Sequence, residues 1–439
     1  MRYLCFLAFA LSVVFASVAC TGAFDWSSIR FPCNESRVCA DGFVCERGFC
    51  VTQGSATENP EDGGVEHDPD SPFRPPLSKP RIAYLLSGPV GDYGWVWAHN
   101  QGRQYLASLG YETAFAESIS PTAAPAQMED FIQRGYNVII GASSDYLIPL
   151  LSKTSLHPNT SFLTCAGFET GRNMGSYFGR MYQAEWLAGM VAGATTKTNR
   201  VGIVVTVAIP QLVRHINAFT NGVRTINPQA TVSVVWISTW FDAKKEPILT
   251  QELLDNEVDV IHGHSNTSIP LEYVENKDGQ PRTTKKGLNA YTIGYNSLNI
   301  CSFGPRTCLT SAYWNWGPIV ARIIDKMKNG TWDPSVTVWE SMRSDRNDSV
   351  VYLSEISPTV SGTARIQVQG FIPQLVKEGV EGQQLPFKGP QLDNTGKERL
   401  AAGQYFTDKQ LLDMCWYVQG VVNPDGTPAV VPTECKGER

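Results

Sequence analysis

The residues best suited to chemistry follow short apolar runs typical of buried strands. After RIAYLLS the loop GPVGDYGW carries glycines at three-residue spacing, together with Asp92 and Trp95. Glycines let backbone N–H groups approach a ligand at a helix start, whereas Asp92 can accept hydrogen bonds and Trp95 offers a ring face. The loop lacks both common phosphate-binding fingerprints, G-x-x-x-x-G-K-S/T and G-x-G-x-x-G. The alternatives are an N-cap for Asp92 and core packing for Trp95.

Other polar and aromatic side chains follow the later apolar runs. They are Ser143 and Ser144 after NVIIGA, His264 and Asn266 after VDVI, Asn296 after NAYTIG, and Trp316 beyond Trp314 and Asn315. Hydroxyls, amides and rings suit a polar, uncharged ligand, although Ser143 can equally cap a helix. His262 and His264 share one strand face, but two histidines without a third ligand at helical spacing give weak support for a metal. We therefore predict a hydrogen-bonding role for His264, no metal site and no cofactor.

Motifs of common catalytic machinery are missing from the sequence. It contains no G-x-S-x-G, S-x-x-K or H-E-x-x-H. Paired carboxylates for sugar hydrolysis stay open, because such pairs need no fixed spacing along the chain. A net charge of −6 without a Lys/Arg run argues against a nucleic-acid partner, which needs a basic face. The sequence therefore indicates a protein that binds a small molecule and is not an enzyme.

Strand and helix patterns alternate from Arg81 onward. Short apolar runs mark the strands, and apolar residues at three- and four-residue steps mark helices over Leu212 to Ile226 and Trp316 to Met327. This alternation predicts an α/β fold of parallel sheets flanked by helices. The length exceeds one doubly wound domain, so we expect two lobes with the strand-end residues in the cleft between them. The expected boundaries are 80–198 for lobe 1, 199–300 for lobe 2, and 301–439 for return segments that complete both lobes.

The N-terminal part has the pattern of an export signal followed by two small segments. Residues 1–19 are an apolar run with one basic residue, and Cys20 then resembles the lipidation site of bacterial lipoproteins. The alternative is soluble export with Cys20 unused. Residues 20–50 form a Cys-rich segment, and residues 51–79 form an acidic, proline-rich linker that we predict to be disordered.

The cysteines that remain after the signal fit an oxidising compartment. The candidates for disulfide bonds are Cys33, Cys39, Cys45 and Cys50 in the Cys-rich segment, Cys301 with Cys308, and Cys415 with Cys435. For the first four, a four-thiolate zinc site is the alternative, but their spacing lacks the close C-x2-C pairs that zinc usually takes. We therefore favour two disulfides there.

Long motifs between Pro80 and Asn423 resemble those of a known family. They are GPVGDYGWVWAHNQGR, YFGRMYQAEWLAGMVAG, IPQLVRHINAFTNGVRTINP, VVWISTWFDAKKE, LTSAYWNWGPIVARIIDKMKNGTW, LPFKGPQLDNTGK and LLDMCWYVQGV. They are similar to the basic membrane protein family of substrate-binding lipoproteins for ABC importers. This resemblance implies a two-lobed periplasmic-binding-protein fold of type I. It also implies a ligand between the lobes, often a purine base or nucleoside stacked on aromatic rings, and an ABC permease in the membrane as the partner.

The resemblance also implies roles for individual residues. Asp92 matches the acidic residue near the start of the family's first helix, and Trp95 matches the aromatic that stacks on the base. The other residues carried over are Tyr177, Arg180 and Glu185 at a helix start, and Trp240 and Asp242 in a turn that we expect to be architectural. Tyr177 and Arg180 therefore join the predicted ligand-binding residues.

Two positions depart from the family pattern. The HGHSN stretch resembles QHTDS of relatives, keeps His264 and has Asn266 in place of an acid. Relatives also carry an aspartate near Asn296 or Leu298. That second acid would bind ribose hydroxyls, so its loss favours a free purine base over a nucleoside. We expect an exported periplasmic or surface protein, tethered through a lipid on Cys20, that delivers its solute to a permease. The alternatives are a surface sensor that uses the same cleft, and a hydrolase.

Overall fold

The computed structural model describes residues 43–46, 49–52, 74, 76–167 and 169–436, with the backbone alone for the first two ranges. The chain divides into two compact units, Met1–Glu66 and His67–Arg439. In the first unit, β1 (Phe43–Glu46) and β2 (Phe49–Thr52) pair antiparallel, with Cys45 opposite Cys50 in register. The predicted signal peptide, Cys20, Cys33, Cys39 and residues 53–73 of the predicted linker lie outside the described residues.

In the second unit, one sheet forms lobe 1 and is parallel throughout. Its strands are β3 (Arg81–Leu85), β4 (Glu112–Ala116), β5 (Val138–Gly141), β6 (Ser161–Cys165), β7 (Met174–Gly179) and β13 (Val338–Glu340). They lie in the order β13-β7-β6-β5-β3-β4. β5 is buried along its whole length, which explains its near-continuous apolar sequence.

The other large sheet forms lobe 2. Its strands are β8 (Arg200–Val205), β9 (Thr231–Trp236), β10 (Val260–His264), β11 (Tyr291–Asn296), β12 (Cys308–Trp314), β14 (Val351–Leu353) and β17 (Val421–Val422). They lie in the order β14-β12-β11-β10-β8-β9-β17, and β14 alone is antiparallel to its neighbour in this sheet. A separate antiparallel pair consists of β15 (Gln391–Leu392) and β16 (Glu398–Leu400).

Helices flank both sheets. They are α1 (Trp95–Ser108), α2 (Ala124–Gln133), α3 (Leu147–Thr154), α4 (Tyr182–Thr195), α5 (Pro210–Ile226), α6 (Lys245–Asp255), α7 (Ile269–Glu275), α8 (Trp316–Lys328), α9 (Gly362–Gln369), α10 (Ile372–Leu375), α11 (Val380–Gln383) and α12 (Asp408–Leu412). The apolar stripe predicted for α5 is buried at Leu212, Ile216, Phe219 and Val223. The predicted fold class, two lobes of parallel sheet and helix, is confirmed.

Helices α4 and α5 approach each other closely because glycines line their contact. A Cβ on Gly189 of α4 would lie 2.0 Å from the Phe219 carbonyl oxygen, and one on Gly222 of α5 would lie 2.0 Å from that of Trp186. Only glycine permits such backbone contact. This packing buries polar side chains of both helices, among them Glu185 and His215, next to β10.

The chain passes between the lobes three times. It crosses after β7 to reach β8, after β12 to reach β13, and after β13 to reach β14. The segments beyond residue 300 therefore add β13 to lobe 1 and β12, β14 and β17 to lobe 2. Before β3, Leu77 donates its backbone N–H to the Met327 carbonyl oxygen (2.9 Å), so the end of the predicted linker is bonded to the folded unit.

Two disulfide bonds join cysteines of the second unit. Cys301 pairs with Cys308 at an S–S distance of 2.08 Å, and Cys415 pairs with Cys435 at 2.07 Å. Cys165 is buried and free. Across the described ranges, the helices are all too short or too polar to cross a bilayer.

Candidate functional site

A cavity of about 860 Å³ lies where the loops after the strands of both lobes face each other. From lobe 1 it is lined by residues that follow β3, β4 and β5, and from lobe 2 by residues that follow β8, β9 and β10. This is the position at which open parallel sheets bind ligands. Six predicted site residues line the cavity: Asp92, Trp95, Ser143, Ser144, His264 and Asn266.

Asp92 caps the first turn of α1. Its Oδ1 accepts from the backbone N–H groups of Gly94 (2.9 Å) and Trp97 (2.8 Å), and its Oδ2 accepts from that of Val96 (3.0 Å). Burial raises the pKa of Asp92, whereas these three donors act in the opposite direction. Because backbone groups occupy both carboxylate oxygens, the N-cap alternative describes Asp92 better than direct recognition of a ligand N–H.

The capping role of Asp92 gives a stability prediction. Asp92→Ala removes all three hydrogen bonds, so we expect it to lower the free energy of unfolding by about 1 kcal/mol. Asp92→Asn keeps an oxygen acceptor for Gly94 and Trp97, so it should be destabilised less and retain near wild-type solute affinity. Urea denaturation of the three proteins measures the first effect, and equal stability of Asp92→Ala and wild type would contradict the assignment.

Trp95 presents a half-buried ring whose orientation is fixed from behind. Its Nε1–H donates to the Ala142 carbonyl oxygen at 2.6 Å. Its ring meets the edges or faces of His99, Trp314 and Trp316 at centroid distances of 4.9, 5.8 and 5.3 Å. A ring held this firmly loses little conformational entropy when a planar solute stacks on it.

The polar lining residues differ in how many of their donors and acceptors are already occupied by hydrogen bonds within the protein. Ser143 accepts the Asp145 N–H (3.2 Å), so it caps the short turn after β5, whereas Ser144 is exposed. Asn266 accepts at Oδ1 from Asn296 Nδ2 (3.1 Å), which leaves its own Nδ2 hydrogens for a solute. His264 lines the cavity and stacks on Tyr295 at a ring-centroid distance of 3.7 Å.

Four predicted ligand-binding residues do not line the cavity. Tyr177 is fully buried and packs edge-on against Trp316 at 5.7 Å. Arg180 forms a two-fold hydrogen-bonded ion pair with Asp408 (2.9 and 2.8 Å) and lies 4.1 Å above the Trp339 ring. It supports the crossing after β7 and is not available to a solute.

Trp316 and Asn296 are likewise buried behind the cavity wall. Trp316 is sandwiched between His99 (4.6 Å) and Trp314 (4.4 Å), both nearly parallel to it. Asn296 donates from Nδ2 to the Ser265 carbonyl oxygen (3.2 Å) and to Asn266, and its Oδ1 accepts from Trp314 Nε1 (3.1 Å). Both of its amide hydrogens are used within the protein and its side chain is buried outside the cavity lining, so Asn296 orients Asn266.

Three aromatic residues that line the cavity were not predicted as ligand-binding residues. Trp240 was expected to be architectural, but it lines the cavity with 42% of its surface exposed, next to Phe241 at 59%. Tyr93 joins them from lobe 1 with 42% exposed. Their aromatic type in loops that follow strands was the available signal, but the sequence does not show which loop rings face the cavity. Asp242 is architectural as expected, because it accepts from the N–H groups of Lys244 and Lys245 at the start of α6.

The charge of the cavity is slightly negative. Asp92 and Asp145 contribute the carboxylates, and the described residues of the lining include neither Lys nor Arg. Two carboxylates without a compensating Lys or Arg disfavour an anionic solute, so the cavity fits a solute without a negative charge better. Rings from both lobes and amide or hydroxyl groups supply the remaining contacts.

Sequence comparison identifies the family of the chain. The family model described as "Bmp: ABC transporter substrate-binding protein PnrA-like" matches residues 79–368. The chain belongs to this family. It is therefore an ABC substrate-binding protein, in a class of proteins that bind solutes outside the cytoplasm and are not an enzyme family.

Individual relatives carry different descriptions. A purine-binding protein of Brucella abortus is 28% identical over 78% of this chain and 93% of its own length. A putative ABC transporter glucose-binding protein of Haloferax volcanii is 30% identical over 68% of this chain and 73% of its own length. Among solved structures, a solute-binding protein from Aeropyrum pernix matches 68% of this chain and 91% of its own, with a TM-score of 0.56 and 16% identity. That structural likeness supports the fold.

Proposed function

We propose that the cleft captures a purine base, or a closely similar planar and uncharged solute, for delivery to an ABC permease. The observation that carries this proposal is the lining of one cavity by aromatic rings from both lobes, Trp95 and Tyr93 from lobe 1 and Trp240 and Phe241 from lobe 2, without Lys or Arg among the described lining residues. Flat heteroaromatic rings gain most from such surfaces, because both of their faces can stack. The relative described as purine-binding agrees with this choice.

A free base fits the polar groups better than a nucleoside does. Asn296 stands near the position at which the family resemblance places a ribose-binding acid, and its amide is spent on Ser265, Asn266 and Trp314. The Asp92 carboxylate is also occupied, by backbone N–H groups. Neither side chain supplies the acceptor that two ribose hydroxyls would need.

The proposed mechanism is closure of the lobes on the solute. Gly94 of lobe 1 lies against the Asn266 backbone of lobe 2, and the Tyr93 ring meets the Phe303 ring edge-on at 4.8 Å. A solute that contacts both lobes stabilises only the closed form, in which the lobes touch. It therefore shifts the population toward the closed form. The permease would then recognise this closed form. A lipid on Cys20 would keep the protein near the membrane.

Calorimetric titration tests the ligand class. The panel should contain adenine, guanine, hypoxanthine, the matching nucleosides, and glucose because one relative is described as binding it. We expect at least one base to bind with micromolar or tighter affinity. The matching nucleoside should bind more weakly, and glucose should give no binding signal. Tight glucose binding, or silence of all the purines, would overturn the proposed ligand while leaving the family assignment intact.

Trp240 provides a prediction that the family resemblance does not make. Because its exposed ring faces the cavity, we expect Trp240→Ala to lower affinity for the base by about 1 kcal/mol, the low end for loss of a stacking ring. Its exposure also means that the free energy of unfolding should change little. Ile248→Ala on α6 is the matched control, since Ile248 is 66% exposed and lies off the cavity. Equal affinities of the two variants would remove Trp240 from the site.

A further inference from the structure

We propose that Glu185, His215 and His264 form a binding site for a divalent transition metal, with Zn²⁺ the first ion to test, in the buried wall of the cleft. One ligand-type atom from each of the three side chains lies within 4.8 Å of the other two. All three residues are fully or almost fully buried. The site does not depend on which solute the cleft captures.

The distances fit a metal. Glu185 Oε1 lies 3.4 Å from His264 Nε2, which in turn lies 3.2 Å from His215 Nδ1. Bonds of about 2.0–2.1 Å in tetrahedral geometry separate neighbouring ligand atoms by about 3.3 Å. The third pair, Glu185 and His215, lies within 4.8 Å, so these two side chains must approach each other by at most about 1.5 Å to share one ion. Two imidazoles and one carboxylate are an established protein ligand set for zinc, with one position left for water.

The hydrogen bonding of Glu185 also favours a cation. Its Oε2 is held by His262 Nε2 at 2.8 Å, which turns Oε1 toward His264. Oε1 is fully buried and makes no hydrogen bond in the described structure. A buried carboxylate oxygen that has a histidine nitrogen at 3.4 Å but no hydrogen bond is incompletely compensated, and a metal between the two would satisfy it. His262 would then orient the ligating carboxylate from behind, as outer partners do in metal sites.

The cluster can be reached from the cleft although its three members are buried. His264 also lines the cavity, so an ion can reach the cluster from the cleft.

Sequence spacing could not reveal this site. Of the three ligands, only His264 lies on β10, and the other two, Glu185 and His215, come from α4 and α5. The glycine-lined contact between those helices is what brings Glu185 and His215 together beside the strand. The prediction of no metal site considered only the two histidines of β10, His262 and His264.

Zinc titration of the purified protein, after chelator treatment and with a competing chromophoric chelator, tests the proposal. We expect one tight Zn²⁺ per chain, weakened at least about 100-fold in Glu185→Gln and in His215→Gln. His157→Gln is the matched control, because His157 also pairs with a glutamate, Glu129 at 3.0 Å, but lies outside the cluster. It should bind zinc like the wild type.

If either variant fails to fold, Co²⁺ binding to the wild-type protein still tests the site, because the absorption of Co²⁺ reports the type of its ligands. We expect the visible absorption of tetrahedral Co²⁺ bound to nitrogen and oxygen. Absence of zinc binding, zinc binding that both variants retain unchanged, or a thiolate charge-transfer band for cobalt would each overturn the proposal. The last result would place the metal on cysteines instead.

Discussion

Trp95→Ala is expected to weaken binding of a purine base by about 1–3 kcal/mol, which is a loss of roughly 5- to 150-fold in affinity. We propose this ring as the lobe 1 stacking surface, because it lines the cavity and its Nε1–H bond to the Ala142 carbonyl oxygen fixes its plane. Truncation removes the surface and also opens space beside His99 and Trp316, so the remaining wall loses its support. Calorimetry with the best base of the panel measures the loss.

The Trp95→Phe variant distinguishes the effect of the aromatic face from that of the hydrogen bond to Ala142. Phe keeps an aromatic face but cannot donate to Ala142, so we expect an affinity between those of the wild type and Trp95→Ala. Denaturation curves must accompany the titrations, because Trp95 packs on the core and its loss lowers stability as well. A folded Trp95→Ala protein with undiminished affinity would show that stacking occurs elsewhere in the cleft.

Gly94→Ala should weaken solute binding at least about tenfold by obstructing closure. A Cβ at Gly94 would lie 2.4 Å from the Asn266 carbonyl oxygen, far inside van der Waals contact, and Asn266 belongs to the opposite lobe. The clash acts on the contact between the lobes, and urea denaturation of the solute-free variant separates this effect from any change in stability.

Gly91→Ala is the control for this substitution. Gly91 lies in the same loop and lines the same cavity, but a Cβ there meets nothing within 4 Å. We expect its affinity to match that of the wild type. Small-angle scattering with and without solute should show compaction for wild type and Gly91→Ala only. Normal compaction of Gly94→Ala would contradict the closure mechanism.

The strand-end rule explains why much of the cleft could be predicted from the sequence. Trp95, Ser143 and Asn266 follow buried apolar runs directly, and parallel strands carry their ends to one edge. The helix start at Trp95 and the buried stripe of α5 were equally readable, because both depend on local patterns alone. Fold and cleft position therefore needed little more than periodicity.

The errors arose where tertiary packing decides which way a side chain faces. Trp316 begins a helix just after a strand, as Trp95 does, but α8 packs on α1 and buries that ring against His99. Asn296 ends its strand with a left-handed φ of 68°, which turns it behind the wall. Trp240 lies four residues beyond β9, and no local pattern tells how such a turn folds back over a cleft.

The most direct test of the central claim is to purify the protein natively from cells that export it, denature it, and identify the released small molecule by mass spectrometry. The account predicts a stoichiometric purine base, present in the Gly91→Ala protein and depleted in the Trp95→Ala protein. A released hexose, or any non-planar solute that Trp95→Ala retains in full, would contradict it.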